Sequence, residues 1–154
     1  MNIRRAEEKD AERVLALLEQ VNLVHHLLRP DLFKLATKYT RSELSVIFSS
    51  DDTPVFVCED EGEVLGYLFG VIIDHEESEM LVPYREFYID DLCVDEAARG
   101  RGVATALYEY AKVCAKQAGC RSVTLNVWEG NDGARAFYDK MGMKPQRTRL
   151  ETIL

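Results

Sequence analysis

The order of hydrophobic patterns along the chain predicts an α+β fold in which helices cover both faces of one mixed sheet. Apolar residues recur at helical spacing in the first third, and long β-branched and aromatic runs fill the second third. A strand–helix–strand–helix–strand order follows. We therefore expect a twisted, mostly antiparallel sheet of six to seven strands in a single domain, residues 1–154.

The N-terminal third predicts a short edge strand, "NIRRA", and two helices. The first helix is expected from about Glu8, because apolar residues lie at helical spacing: Val14, Leu17, Leu18 and Val21. It should end before Pro30, since the residue before a proline avoids helical geometry. The second helix should begin after Thr40, which has Glu43 at capping-box spacing.

The rest of the chain predicts five more strands and two helices. "PVFVCED" and "EVLGYLFGVII" form a hairpin around Gly62, and "YREFYIDDLCVD" is a third long strand. A helix is expected from about Gly102 to Gln117. "RSVTLNVW" reads as a strand, and "NDGARAFYDKMG" as a short helix capped by Asn131. The tail, "KPQRTRLETIL", is predicted to be a final strand.

Composition narrows the class of protein. The net charge of −8 argues against nucleic-acid binding, which usually needs a basic face, and fits a cationic or neutral substrate. No apolar run approaches the ~20 residues that span a bilayer, so we expect a cytoplasmic protein without a membrane partner. The four cysteines lack Cys-x-x-Cys spacing, so no metal site is expected. In a cytoplasmic protein we expect their thiols to be reduced.

The turn "RGRG", residues 99–102, follows a strand and opens a helix. Unpaired N–H groups at a helix start attract phosphates, glycines allow close approach, and guanidinium groups add charge-assisted bonds. The turn lacks the Gly-Lys-Ser/Thr of a P-loop, and Thr105 stands where a dinucleotide fingerprint needs its third glycine. The turn therefore predicts a phosphate or pyrophosphate site of another kind.

These residues resemble a known family. Arg99-Gly100-Arg101-Gly102-Val103-Ala104 matches the Arg/Gln-x-x-Gly-x-Gly/Ala motif of the GNAT superfamily of acetyl-CoA-dependent N-acetyltransferases. "LCVDEAARGRGVATALYEYA" is similar to that family's strand, turn and helix. "NVWEGNDGARAFYDKMGM" is similar to its second conserved block. The strong part of the resemblance covers residues 88–143.

The resemblance implies that acetyl-CoA lies between two splayed strands, which contain Leu92–Val94 and Val123–Val127. Main-chain groups of Leu92 and Val94 would hold the pantetheine arm, and N–H groups of residues 100–105 the pyrophosphate. The implied cofactor-binding residues are Leu92, Cys93, Val94, Arg99, Gly100, Arg101, Gly102, Val103, Ala104, Thr105, Asn126, Asn131, Ala134 and Tyr138.

The resemblance also implies chemistry: acetyl transfer to a primary amine by direct attack in a ternary complex. Tyr138 occupies the position of the tyrosine that protonates the coenzyme sulfur. "FYIDDLCV" is similar to a strand of diamine acetyltransferases, where Asp90 would be the base and Asp91 would bind ammonium. As neighbours in a strand, the two should point to opposite faces. Solvated surface carboxylates, with water as the base, are the alternative.

The acceptor amine is expected beside the segment "HHLLRPDLF". The residues predicted to bind it are His26, Arg29, Phe33, Tyr84 and Trp128. Two other functions stay open: acetylation of a peptide or protein at its N-terminus or at lysine, and a non-catalytic module that senses acyl-CoA. By analogy, sheet edges or C-terminal strands could pair into a homodimer.

Overall fold

The computed structural model describes all 154 residues and contains one five-stranded sheet in the order β1-β2-β3-β4-β5. The strands are β1 (Asn2–Arg5), β2 (Val55–Asp60), β3 (Glu63–His75), β4 (Tyr84–Val94) and β5 (Ser122–Leu125). The helices are α1 (Ala11–Leu28), α2 (Arg41–Phe48), α3 (Val103–Gln117) and α4 (Asp132–Lys140). No helix is both long enough and apolar enough to cross a membrane.

Strand pairing confirms a mixed, mostly antiparallel sheet. β1 to β4 pair antiparallel in sequence order, and β5 lies parallel to β4. The strand count is five rather than six to seven, because residues 144–154, predicted as a final strand, form none and are exposed along their whole length. A strand needs the backbone of a neighbour, and this segment finds none within the chain.

Local chemistry accounts for the element boundaries. Arg29 has φ −139° and ψ 71°, outside helical geometry, because Pro30 follows it and ends α1. α2 begins with a reciprocal capping box: Glu43 N–H donates to the Thr40 hydroxyl at 3.3 Å, and Thr40 N–H donates to the Glu43 carboxylate at 2.7 Å. Both predictions made from these residues are confirmed.

Helices pack on both faces of the sheet, as predicted. α1 and α2 bury a cluster on one face that includes Leu17, Leu44, Val57, Tyr67 and Phe69. α3 buries a second cluster on the other face, including Phe56, Leu68, Phe87, Leu107 and Ala111. Burial of such side chains, roughly 1.5–3 kcal/mol each, fixes the sheet between two layers of helices.

β3 and β4 approach each other closely. A Cβ placed on Gly70 would lie 2.1 Å from Cζ of Phe87, so only glycine leaves room for that ring. Just beyond, the register shifts: Phe69 pairs with Asp91 and Gly70 with Ile89, which leaves Asp90 as the extra residue of a β-bulge.

The parallel pairing between β4 and β5 stops at Ile89 and Leu125, although β4 continues to Val94. Residues 90–94 therefore have no strand beside them on that edge. The chain after Leu125 leaves the sheet before α4 begins. The two strands thus separate into a gap, and the bulge at Asp90 lies where the gap opens.

Candidate active site

The backbone of β4 faces the gap at every second residue. Asp95 N–H donates to Leu65 O on β3 at 2.9 Å, and backbone polar groups alternate in direction along a strand. The N–H and C=O groups of Leu92 and Val94 therefore point into the gap, where an extended chain could pair with them. This orientation fits the pantetheine arm that the resemblance implies.

Cys93, between them, faces the core instead. Its thiol donates a weak hydrogen bond to Leu17 O on α1 at 3.4 Å, and its backbone points toward β3. Burial, with the charge of Asp91 adding to it, raises the pKa of the Cys93 thiol to about 12. Cys93 therefore offers no polar group to the gap.

The turn before α3 is open and rich in free N–H groups. Gly100 and Gly102 have φ values of +76° and +83°, and a Cβ on either would meet nothing within 4 Å. The first hydrogen bond of the helix is Ala106 N–H to Gly102 O at 3.0 Å, and the N–H groups of residues 100–105 make no backbone hydrogen bond. Unpaired donors at the positive end of a helix fit a pyrophosphate.

The side chains of this turn are less available than the sequence suggests. The Arg101 guanidinium donates to Asp60 at 2.7 Å, so part of its charge is already compensated. Arg99 is exposed, with a long contact of 3.4 Å to Glu96. Among residues 103–105, the valine side chain is buried in the core, the alanine is half-buried and the threonine is exposed. Main-chain N–H groups are thus the main hydrogen-bond donors that this turn leaves free.

The segment after β5 supplies a capped helix and an aromatic hydroxyl. Asn131 Oδ1 accepts from Ala134 N–H at 3.2 Å, which confirms the predicted cap of α4. Asn126 is exposed, and its amide donates to the Tyr88 hydroxyl at 3.1 Å. The oxygen of Asn131 is therefore engaged in its own helix.

Tyr138 on α4 has a hydroxyl that makes no hydrogen bond within the protein. Its ring is half-buried, 5.0 Å from the Phe137 ring and 6.4 Å from the Tyr108 ring, centroid to centroid. Burial raises the pKa of Tyr138, and the charge of Asp91 raises it further. The hydroxyl therefore stays protonated near neutral pH and can donate to a nearby anion.

Two carboxylates lie at the mouth of the gap on one face of the sheet. Asp90 Oδ2 accepts from Lys38 Nζ at 2.6 Å and from the Tyr39 hydroxyl at 3.4 Å. Asp91 Oδ2 accepts from the Tyr67 hydroxyl at 3.1 Å. The expectation that these neighbours point to opposite faces is wrong, because the bulge at Asp90 interrupts the alternation of the strand.

The two acids differ in protonation behaviour. Burial raises the pKa of Asp91 to about 6, against the opposing effects of the Lys38 charge and of the Tyr67 hydrogen bond. A carboxyl group with such a pKa can both accept and release a proton near neutral pH. Asp90 lies beside it with its charge paired to Lys38.

Four of the five predicted acceptor residues lie in one cluster. His26 Nδ1 contacts Phe33 O at 2.6 Å, which holds the loop after α1 against that helix. The Phe33 ring lies 5.1 Å from the His25 ring and meets Trp128 edge to face at 5.3 Å. Arg29 lies over the same indole at 5.9 Å, with its guanidinium paired to two carboxylates.

Tyr84 does not belong to this cluster. It stands at the first residue of β4 and stacks on His75 at 4.2 Å. Six residues of strand separate it from Asp90, which corresponds to roughly 20 Å. Tyr84 therefore lies at the paired end of β4, apart from the other four residues predicted to bind the acceptor.

Three residues of the site were not predicted from the sequence: Lys38, Tyr39 and Tyr67. Lys38 and Tyr39 stand just before the cap of α2, where no periodicity marks them, and their contact with Asp90 spans about fifty residues. Tyr67 lies on the same face of β3 as Phe69, so its alternation indicated burial but not a carboxylate partner.

The arrangement as a whole suits transfer of an acyl group from a phosphate-bearing carrier. Free N–H groups lie at one end of the gap, free strand backbone along it, and a protonated phenol with two carboxylates at the other end. No group of three or more His, Cys, Asp or Glu side chains is placed to hold a metal ion. Such a site can bind a cation and move protons.

Residues 21–143 match the Acetyltransferase (GNAT) family model. The chain therefore belongs to the GNAT family and is an acetyl-CoA-dependent N-acetyltransferase.

Curated relatives and solved structures agree with this membership. Over 107 residues the chain is 33% identical to the uncharacterised N-acetyltransferase MJ1207 of Methanocaldococcus jannaschii; the match covers 70% of the chain, which spans 46% of that relative's length. Over 148 residues it is 28% identical to the peptidyl-lysine N-acetyltransferase YjaB of Salmonella typhimurium, with 94% and 83% covered. A mutant of the BH1408 protein of Bacillus halodurans has a TM-score of 0.96 at 29% identity, covering 100% of this chain and 99% of the other.

Proposed function

We propose that the protein transfers the acetyl group of acetyl-CoA to a cationic primary amine by direct attack in a ternary complex. The observation that carries the proposal is the pair Asp90 and Asp91 where the gap opens, with the Asp91 charge acting on Tyr138. Two carboxylates attract an ammonium group, and the net charge of −8 favours its approach. The relative YjaB acts on peptidyl-lysine, which is such an amine.

Binding would use main-chain groups. The N–H groups of residues 100–105 would hold the pyrophosphate, and those of Leu92 and Val94 would pair with the pantetheine arm as a strand does. Acetyl-CoA supplies the acetyl group as an activated thioester. Glycine at positions 100 and 102 keeps this surface free of side chains, so the diphosphate can reach the amides directly.

Proton transfer would involve three side chains. An alkylammonium group with a pKa near ~10.4 must lose a proton before it can attack. Asp91 would take that proton, directly or through a water molecule, while Asp90 binds and orients the ammonium. Tyr138 would donate its hydroxyl proton to the departing thiolate, and its raised pKa keeps that proton in place until the thiolate forms.

A panel of acceptors tests the proposal: polyamines, aminoglycosides, amino acids and lysine-containing peptides, each with acetyl-CoA and a thiol-release assay. We expect turnover with at least one primary amine, and intersecting initial-velocity lines when both substrates vary, as a ternary complex requires. Parallel lines would instead indicate an acetyl-enzyme and would contradict direct attack.

Two alternatives give different results in the same assay. A peptide or protein acetyltransferase would turn over lysine peptides and ignore free polyamines. A sensor of acyl-CoA would bind acetyl-CoA, measured by calorimetry, without releasing thiol with any amine. The unpaired hydroxyl of Tyr138 favours turnover over sensing, because a sensor has no use for a buried proton donor.

A homodimer is part of the proposal. The outer edge of β5 has no partner strand, and Leu150 and Ile153 in the tail are 89% and 80% exposed. An open edge and an exposed apolar segment invite pairing with a second copy. Sedimentation of the full chain should give a dimer, and of a chain ending at Lys144 a monomer. A monomeric full chain would contradict this pairing.

A further inference from the structure

The loop between α1 and α2, residues 29–40, brings a primary amine of the protein itself to the two acids. Lys38 Nζ lies 2.6 Å from Asp90 Oδ2. The next residue, Tyr39, stacks on Phe69 with ring centroids 5.6 Å apart, and its hydroxyl reaches the same carboxylate oxygen. Lys38 is therefore held at the acids by the packing of its neighbour.

Lys38 differs from the other lysines that form ion pairs in how far along the chain its partner lies. Lys112 pairs with Glu109 on its own helix at 2.9 Å, and Lys9 pairs with Glu7 two residues away. Both are ordinary surface contacts. The ion pair of Lys38 joins a loop to the strand that lines the gap, about fifty residues along the chain. Its amine occupies the place that the proposed acceptor would need.

Lys38 and Tyr138 both lie within reach of the Asp91 charge. Burial lowers the pKa of Lys38, but the bond to Asp90 and the charges of both acids hold that pKa above its ordinary value. The pKa of Tyr138 is raised first by burial and then by the charge of Asp91. The charge of Asp91 thus acts both on a primary amine and on the proposed proton donor.

We propose that Lys38 is a self-acetylation site, at which the tethered amine takes the acetyl group of bound acetyl-CoA when no free amine competes. The inference rests on the proposed function of Asp90, Asp91 and Tyr138. It assigns to the chain a covalent modification of the loop that covers its acceptor site.

The chemistry balances without a further reagent. The Lys38 ammonium gives a proton to Asp91, and the neutral Nζ forms a bond to the acetyl carbonyl carbon. The nitrogen then loses its second proton to solvent, and the bond from that carbon to sulfur breaks. The thiolate takes the proton of Tyr138, which solvent replaces, and Asp91 later releases the proton that it accepted. The products are an acetylated, uncharged Lys38, free coenzyme A and one proton.

The experiment incubates the full chain with acetyl-CoA and no amine, over a range of protein concentrations, and maps acetylation by peptide mass spectrometry. Lys112 is the internal control, because it is an exposed, ion-paired lysine far from the acids in sequence. We expect Lys38 to be acetylated at least ~10-fold faster than Lys112, as a positioned nucleophile should be. Its rate constant should not change with protein concentration.

Variants sharpen the result. Lys38→Arg should remove the fast modification while keeping the charge at Asp90, and Tyr138→Phe should slow it by the factor found for a free amine. Modification of Lys38 at the Lys112 rate, or a rate constant that rises in proportion to protein concentration, overturns the inference. Turnover of a free amine with Lys38 unmodified overturns only the inference, whereas acetyl-CoA binding with neither reaction overturns the proposed function as well.

Discussion

The two strands that form the gap differ in how firmly they are held. β4 pairs with β3 along its whole length, from Tyr84 to Val94, and it lies between two buried clusters. β5 has four residues, pairs on one edge only, and is followed by exposed chain. The firm strand carries both acids and the main-chain groups proposed to bind the pantetheine arm, whereas the short strand leads to Trp128 and Tyr138. Changes in the packed core beside β4 should therefore affect folding, whereas loss of the Tyr138 hydroxyl on the β5 side should affect catalysis with little effect on folding.

The largest expected effect tests the β5 side. Tyr138→Phe should lower kcat by ~100-fold or more, because it removes the proposed proton donor for the thiolate. The dissociation constant of acetyl-CoA and the free energy of unfolding should stay nearly unchanged, since the ring still packs against Phe137 and Tyr108. Steady-state kinetics, calorimetry and urea denaturation measure the three quantities.

The matched control is Tyr108→Phe, which removes a hydroxyl from the neighbouring ring. It should leave kcat within ~2-fold, because Tyr108 has no role in proton transfer. Equal losses in the two variants would mean that packing, not acid catalysis, explains the effect. Unaltered turnover in Tyr138→Phe would contradict the proposal that Tyr138 donates a proton to the thiolate.

The second prediction tests the β4 side. Gly70→Ala should lower the free energy of unfolding by ~3 kcal/mol, because its Cβ would overlap the Phe87 ring between β3 and β4. Urea denaturation measures the change. Gly133→Ala on α4 is the control: a Cβ there meets nothing within 4 Å, so that variant should be neutral or slightly more stable. Equal stability of the two variants would contradict the firm packing of β4.

The third prediction concerns the pH dependence that Asp91 confers. As pH falls through about 6, Asp91 gains a proton and can no longer accept one from the amine, so kcat/KM should fall ~10-fold per pH unit. Asp91→Asn should abolish this limb. Burial, aided by the Lys38 charge, lowers the pKa of His25 nearby, so His25→Gln is the control and should retain the limb.

The raised pKa of Asp91 should increase stability as pH falls, although it lowers kcat/KM over the same range. The pKa of Asp91 is raised in the folded state from the usual 3.8 to about 6, so the folded state holds a proton that the unfolded chain has lost. The contribution of this group to the free energy of unfolding should therefore rise as pH falls from about 6 toward 3.8. Asp91→Asn should flatten that rise. If the free energy of unfolding of the variant rises with falling pH as before, Asp91 is not the group responsible.

Local chemistry explains which parts of the fold the sequence predicted. The box at Thr40 and Glu43, the break at Pro30 and the cap at Asn131 depend on atoms a few residues apart, and all three are confirmed. The tail has the composition of a strand but no partner, because pairing depends on a neighbour that its own sequence does not contain. Local patterns thus determined the helices better than the sheet edge.

Contacts between distant segments also limit what could be predicted of the site. The order of residues around the turn at 99–105 predicts a phosphate-binding surface, and the structure gives that turn free N–H groups. The side-by-side placement of Asp90 and Asp91 depends on a register shift between β3 and β4. The contact of Lys38 with Asp90 depends on how a loop crosses the sheet. Neither of these two placements can be predicted from the neighbouring residues in the sequence.

The smallest expected effect is a weaker binding of acetyl-CoA, and a control variant distinguishes a blocked approach of the ligand from backbone strain. Gly102→Val should raise the dissociation constant of acetyl-CoA by ~10-fold, because a side chain would stand among the N–H groups of the turn. Gly62→Val is the matched control, since Gly62 has φ +84° against +83° at Gly102, and a Cβ there also meets nothing within 4 Å. Both variants should lose ~1 kcal/mol of stability, as a side chain in the left-handed region costs. Only Gly102→Val should weaken binding in calorimetry, and equal affinities in the two variants would show that the turn does not contact the coenzyme.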